Sequence, residues 1–197
     1  MLGFVFISLL LTSCATTQKI KYRGTPEQIW QQREQRLKTL DNWELKGRIG
    51  LVSKRESGSA SLYWKQQRDA YELDVVAPLG MGSLVVVGSE NGVVLQSSDG
   101  ELYWAEDAQW LVWQRTGWII PMGSLKNWIL GVPSRSEQYK LDDRGHVVQL
   151  SNESWQVEYL QYQQSDNFDL PRKLKISGPD IEIKLVIKNW RLIDQIK

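Results

Sequence analysis

One histidine, His146, and one cysteine, Cys14, occur among the 197 residues, so imidazole or thiol chemistry has a single residue to draw on. A Ser-His-Asp hydrolase would have to use His146, and the G-x-S-x-G turn that presents such a serine is absent. In DDRGHVV the histidine reads as a turn residue facing solvent. The carboxylate pairs Glu106-Asp107 and Asp142-Asp143 could serve acid-base work, but their surroundings read as a helix start and a turn. No glycine-rich phosphate loop precedes a helix, no His/Cys cluster can hold a transition metal, and no oxygen-rich calcium loop is present. No catalytic residue, metal ligand or cofactor is assigned, and an enzyme is not expected.

Cys14 has a different setting. Residues 2–11, LGFVFISLLL, form an apolar run of secretory-leader length, far too short to span a bilayer. The run closes on Leu11-Thr12-Ser13-Cys14, which resembles the lipobox of bacterial lipoproteins. That resemblance implies cleavage before Cys14 and diacylation of its sulfur, with residues 1–13 as signal peptide and 14–24 as acylated tether. No Lys or Arg precedes the apolar run, although a secretory leader is normally positive there, which points to a translation start upstream of Met1. In the enterobacterial lipoprotein class an aspartate after the cysteine retains the protein at the inner membrane. Ala15 stands there instead, so the class rule implies the outer membrane.

Residues 78–82, PLGMG, separate two apolar runs as a hairpin loop should. Leu79 and Met81 nevertheless stand where a solvated turn would carry Asn, Asp or Ser.

The elements that must position these residues follow from periodicity. Thr25, Pro26 and Gln28 make a capping box ahead of a helix with Trp30, Leu37 and Leu40 on one stripe. From Asn42 the period is two: Trp43, Leu45, Gly47, Ile49 and Leu51 share one face, as do Ala60, Leu62 and Trp64, then Tyr71, Leu73 and Val75. Strands are expected again at 83–88, 92–97 and 101–105. Asp107 should cap a short helix ending near Gly117, and Ser124 a second ending at Gly131. Five more strands are expected at 136–141, 146–150, 154–162, 172–177 and 181–192. The sum is about eleven antiparallel strands, apolar on one face, with three helices to cover them. No repeat or linker divides residues 25–197, which read as one domain.

Lys+Arg 24 against Asp+Glu 23 gives a net charge of +1, without the basic excess that a nucleic-acid binder needs. Ten tryptophans are the outlier. They suit either a Trp-rich core or an apolar ligand cavity.

Four stretches are similar to the LolB family of outer-membrane lipoprotein receptors. Trp43 with Gly47-Arg48-Ile49 matches W-x-x-x-G-R-I, and Trp64 follows a serine-rich second strand. Pro78-Leu79-Gly80 matches the loop after the third strand. Pro121, Leu125, Trp128, Gly131 and Pro133 match P-x-x-x-L-x-x-W-I-x-G-x-P. The resemblance implies a mainly β fold: an open antiparallel half-barrel with helices over a hydrophobic cavity. It also implies a monomer, lipid-anchored through Cys14 at the periplasmic face of the outer membrane. Such a protein takes acylated lipoprotein cargo from a LolA-like periplasmic carrier and inserts it into the membrane. The family's exposed apolar loop residue after proline, which enters the bilayer, matches Leu79; Met81 joins it as the next bulky residue on the loop. Inward-facing Leu45, Ile49, Trp64, Leu73 and Trp128 are the candidates to line the acyl-chain cavity. Alternatives are an outer-membrane-anchored binder of another lipophilic ligand and an anchor protein whose tryptophans fill a core.

Overall fold

The computed structural model describes residues 22–54 and 57–193; Cys14, the leader and most of the tether lie outside the described residues. Helix α1 (Pro26–Leu37) starts as its sequence dictates. Thr25 Oγ1 accepts from the Gln28 N–H and the Gln28 side chain accepts from the Thr25 N–H, so two unpaired helix-end donors are satisfied at once.

Strands β1 (Asn42–Ser53), β2 (Ser57–Gln67), β3 (Ala70–Val76), β4 (Ser83–Ser89), β5 (Gly92–Ser97) and β6 (Leu102–Ala105) form one meander. Helices α2 (Ala108–Thr116) and α3 (Met122–Leu130) follow. A second meander holds β7 (Gln138–Leu141), β8 (Val147–Ser151), β9 (Gln156–Ser165), β10 (Phe168–Ser177) and β11 (Ile181–Leu192). All eleven strands belong to one antiparallel sheet, ordered β6-β5-β4-β3-β2-β1-β11-β10-β9-β8-β7. It is an open half-barrel with β6 and β7 as its free edges, and not a closed barrel. The chain leaves one edge and re-joins at the other, so α2 and α3 must cross the apolar face between them.

Sheet curvature has a local cause at the β1–β11 seam. Register shifts between Lys46 and Gly47, so that Lys46 faces Asn189 while Gly47 faces Ile187. This bulge leaves Lys188 as an extra residue on β11 and resets its alternation, turning Trp190 inward after Ile187. A Cβ on Gly47 would lie 2.5 Å from the Val186 carbonyl oxygen, so only glycine fits the approach.

Of the boundaries that differ from the sequence expectation, two have a local cause in a proline. Ser124 does not cap α3; it lies inside it, because Pro121 starts the turn by accepting from the N–H groups of Ser124 and Leu125. Strand β10 starts at Phe168 and not after Pro171, since a register shift beside Pro171 lets the sheet absorb a residue without an N–H.

The apolar side of the sheet is filled unevenly. Toward the start of β1, Trp43 packs on Trp64 and Trp190, with ring centroids 5.4 and 5.3 Å apart. Toward the β1–β2, β3–β4 and β10–β11 turns the filling stops.

Candidate functional site: an apolar cavity with a displayed loop

At that end lies a cavity of about 300 Å³, at the lower end of the range for small-molecule sites. Ile49 and Leu51 of β1, Ala60, Leu62 and Trp64 of β2, Leu73 and Val75 of β3, and Leu84 and Val86 of β4 form one wall. Ile176, Ile183 and Leu185 continue it across the seam. The roof comes from the helical crossover, through Val112, Trp118, Ile120, Met122, Leu125 and Ile129. Every side chain in this lining is apolar except that of Ser59, so the space offers a polar ligand little to bond to. Such a space suits hydrocarbon.

Among the predicted residues, Ile49, Trp64 and Leu73 line the cavity. Leu45 and Trp128 do not; both are packed in the solid part of the core. Leu45 pairs with Trp64 on β2 and with Trp190 on β11, under the tryptophan cluster that closes the cavity floor. The Trp128 indole donates 2.8 Å to buried Glu137 and its carbonyl accepts from the Tyr159 hydroxyl at 2.8 Å, locking α3 to the second meander. Alternation along a strand gives the face a residue points to but not how far along the half-barrel the filling extends. The roof residues Trp118, Ile120 and Met122 escaped the sequence reading. Their signal was the aperiodic apolar run WIIPM in a linker, where polar residues would be ordinary.

The PLGMG loop stands at the cavity's open end. Val75 and Leu84, which line the cavity, pair with each other, and Val76–Ser83 is the last rung before the loop. Leu79 is 98% exposed and Met81 72%. Leu79 does not fold back onto the hairpin. It adopts φ 57° and ψ 26°, a left-handed conformation that costs a branched residue roughly 1–2 kcal/mol. The fold thus accepts both strain and an unburied leucine here, with no internal contact in return.

A second cluster corrects the reading of His146. The ring is buried and faces no solvent turn. Its Nδ1 lies 3.0 Å from Asp142 Oδ2, its face stacks on Tyr162 at 4.3 Å, and Nε2 stands 3.6 Å from Asp169. Arg33, buried on α1, donates to the Asp169 carboxylate at 3.0 Å and to its carbonyl at 2.9 Å. The neighbouring imidazole of His146 and the Arg33 guanidinium hold the Asp169 carboxyl down at about 2, against partial burial. Burial opposes ionisation of Asp142 too, but donation from the backbone and ring of His146 outweighs it and keeps that carboxyl below its usual range. The Tyr162 phenol is pushed up by burial, and its hydroxyl donates to the Val147 carbonyl at 2.7 Å. The ion pair of this cluster fixes α1 to β10.

Known proteins resemble this chain in sequence and in fold. The family described as "Outer membrane lipoprotein LolB" matches residues 41–190. The outer-membrane lipoprotein LolB of Pseudomonas putida strain GB-1 is 33% identical over 187 residues, covering 92% of this chain and 91% of that protein. The one from Pseudomonas fluorescens strain Pf0-1 is 34% identical over 193 residues, covering 95% and 93%. Among solved structures, a LolA superfamily protein from Nitrosomonas europaea superposes with a TM-score of 0.57 at 7% identity, covering 88% of this chain and 96% of that one. A DUF1329 family protein from Desulfovibrio piger gives 0.54 at 9% identity, covering 89% and 96%. The structural likenesses show the shared half-barrel alone, whereas the sequence matches extend over nearly the whole chain. This chain belongs to the outer membrane lipoprotein LolB family.

Proposed function

We propose that this protein is an outer-membrane lipoprotein of lipoprotein localisation. It receives acylated lipoproteins from a LolA-like periplasmic carrier, shelters their acyl chains in the half-barrel cavity and inserts them into the outer membrane. Cys14 carries its own lipid anchor at the periplasmic face, and the protein works as a monomer without a cofactor.

The observation that carries this reading is the apolar cavity, open at the end where Leu79 is displayed. The energetics fit the task. A lipoprotein's acyl chains hold roughly 30 to 45 methylenes, and at about 0.8 kcal/mol each their exposure to water costs tens of kcal/mol. Each hand-over must therefore keep the chains covered. A receiver that binds them better than the donor, followed by a bilayer that accepts them last, moves cargo without a nucleotide.

The test uses the mature chain from residue 14 carrying Cys14→Ala, mixed with carrier-bound lipoprotein. Acylated cargo should move to this protein and unacylated cargo should not. Uptake of free fatty acid with no transfer from the carrier would instead identify a binder of another lipophilic ligand.

A further inference from the structure

The outer face of the sheet is charged over most of its width but not at the β6 edge. On β1 to β3 it carries Glu44, Lys46, Arg48, Lys65, Glu72 and Asp74. From β4 onward the character changes. Register aligns Val87, Val94 and Trp104 in one outward row, and Val85, Gln96 and Leu102 in the next. Leu102 is 67% exposed, Trp104 61% and Val87 49%. Around the free edge, α2 buries Leu111 and Val112 against β5 and β6 while leaving Trp110 and Trp113 each 48% exposed. The corner also holds the β3–β4 loop with Leu79 and Met81. A contiguous exposed apolar flank on a monomer marks a contact surface, and an unpaired apolar edge strand needs a cover.

We propose that this flank, formed by β4 to β6 and α2, lies against the bilayer, so that the half-barrel rests on its side at the membrane. The inference rests on the proposed function, through the Cys14 anchor and the Leu79 loop. Tether length and origin argue for it. Tyr22, where the described chain begins, bonds to Arg36 of α1, and Arg36 covers Phe168 at the start of β10. That is the end of the sheet opposite the loop, because β10 runs from Phe168 toward the cavity mouth. Eight residue steps separate Tyr22 from Cys14, at most about 29 Å when fully extended. The twelve residues of β1 alone cover about 40 Å from one end to the other. A molecule standing upright on its loop would overstretch the tether, whereas one lying on a flank brings anchor and loop to the same surface. Among the described residues, the exposed tryptophans all lie on this flank, Trp104 on β6 and Trp110 and Trp113 on α2, and tryptophan favours the zone where hydrocarbon meets headgroups. Glu90, Asp99, Glu101, Glu106 and Asp107 outnumber Arg115 in residues 83–116, so the surface needs no anionic lipid.

Flotation of the Cys14→Ala mature chain with vesicles of phosphatidylcholine and phosphatidylethanolamine tests the proposal. Trp104→Ser combined with Trp113→Ser should weaken vesicle binding by about tenfold or more and leave uptake of an acylated peptide in vesicle-free solution unchanged. A spin label at position 104, introduced as W104C in the same background, should become shielded from an aqueous relaxation agent when vesicles are added. Flotation equal to the parent's, or a label that stays wet, overturns the proposal. So does unaltered flotation with lost acceptance from the carrier, which makes the flank a protein-docking face. Failure of the parent itself to take up acylated peptide in solution would count against the proposed function, independently of the flank.

Discussion

At the scale of single residues, Leu79 and Asp169 carry opposite kinds of information. Leu79 is strained and unburied, so the fold gains nothing from its side chain. Leu79→Glu should leave the thermal midpoint and cargo acceptance unchanged while abolishing delivery to liposomes; normal delivery by this variant removes the loop from the mechanism. Leu79→Gly should keep stability within about 1 kcal/mol of the parent, relief of left-handed strain offsetting added chain entropy, and should also impair delivery. Asp169 does the reverse and supports the fold alone. Its carboxyl ionises at about 2 in the folded chain against an ordinary 3.8, so its contribution is fully present above about pH 4 and is lost as pH falls toward 2. Asp169→Asn should flatten the pH dependence of stability in that window, measured by denaturant unfolding at a series of pH values. Arg33→Ala should cost roughly 2–3 kcal/mol, because it leaves the carboxylate without its buried cation.

At the scale of elements, the β1–β11 bulge decides the shape. Gly47→Ala places a methyl against backbone and not against a side chain that can swing away, so a loss of about 2–3 kcal/mol is expected in urea unfolding. Much of this level was legible in the sequence. Capping chemistry at Thr25 and Gln28 marked α1, alternation marked the strands, and glycines at 117 and 131 marked the helix ends, both in the left-handed conformation. What escaped was whatever depends on a distant partner. The period of two runs correctly to Ile187, but nothing local to β11 announces the extra residue at Lys188, so the inward turn of Trp190 was invisible. His146 misled for the same reason. Its turn is ordinary, and burial comes from Tyr162 and from Asp169, which is held by Arg33 on a helix more than a hundred residues away.

At the scale of the whole molecule, the cavity tests whether the concave side serves as a container or as an underfilled core. Leu84→Trp, at the open end, adds apolar volume to existing space. It should leave the thermal midpoint equal or higher while acyl-peptide uptake falls by about tenfold or more; a destabilised fold with unchanged uptake would mean that the space is not where the chains go. Alternation alone put Ile49, Trp64 and Leu73 on the inward face together with Leu45, whereas the division between wall and plug needed the third dimension.

The strand order has a kinetic consequence. Among the described residues, every neighbouring pair in the sheet is also adjacent in the chain, save β1 with β11. Two meanders can therefore zip up independently, each from its own hairpins, before their shared seam exists. Joining them closes a loop of more than a hundred residues, a slow search compared with hairpin growth. Until that seam forms, the greasy inner surfaces of both halves stand open to the aqueous compartment. Under the proposed function, a molecule that shields the tails of others is, during its own maturation, a client in need of the same protection.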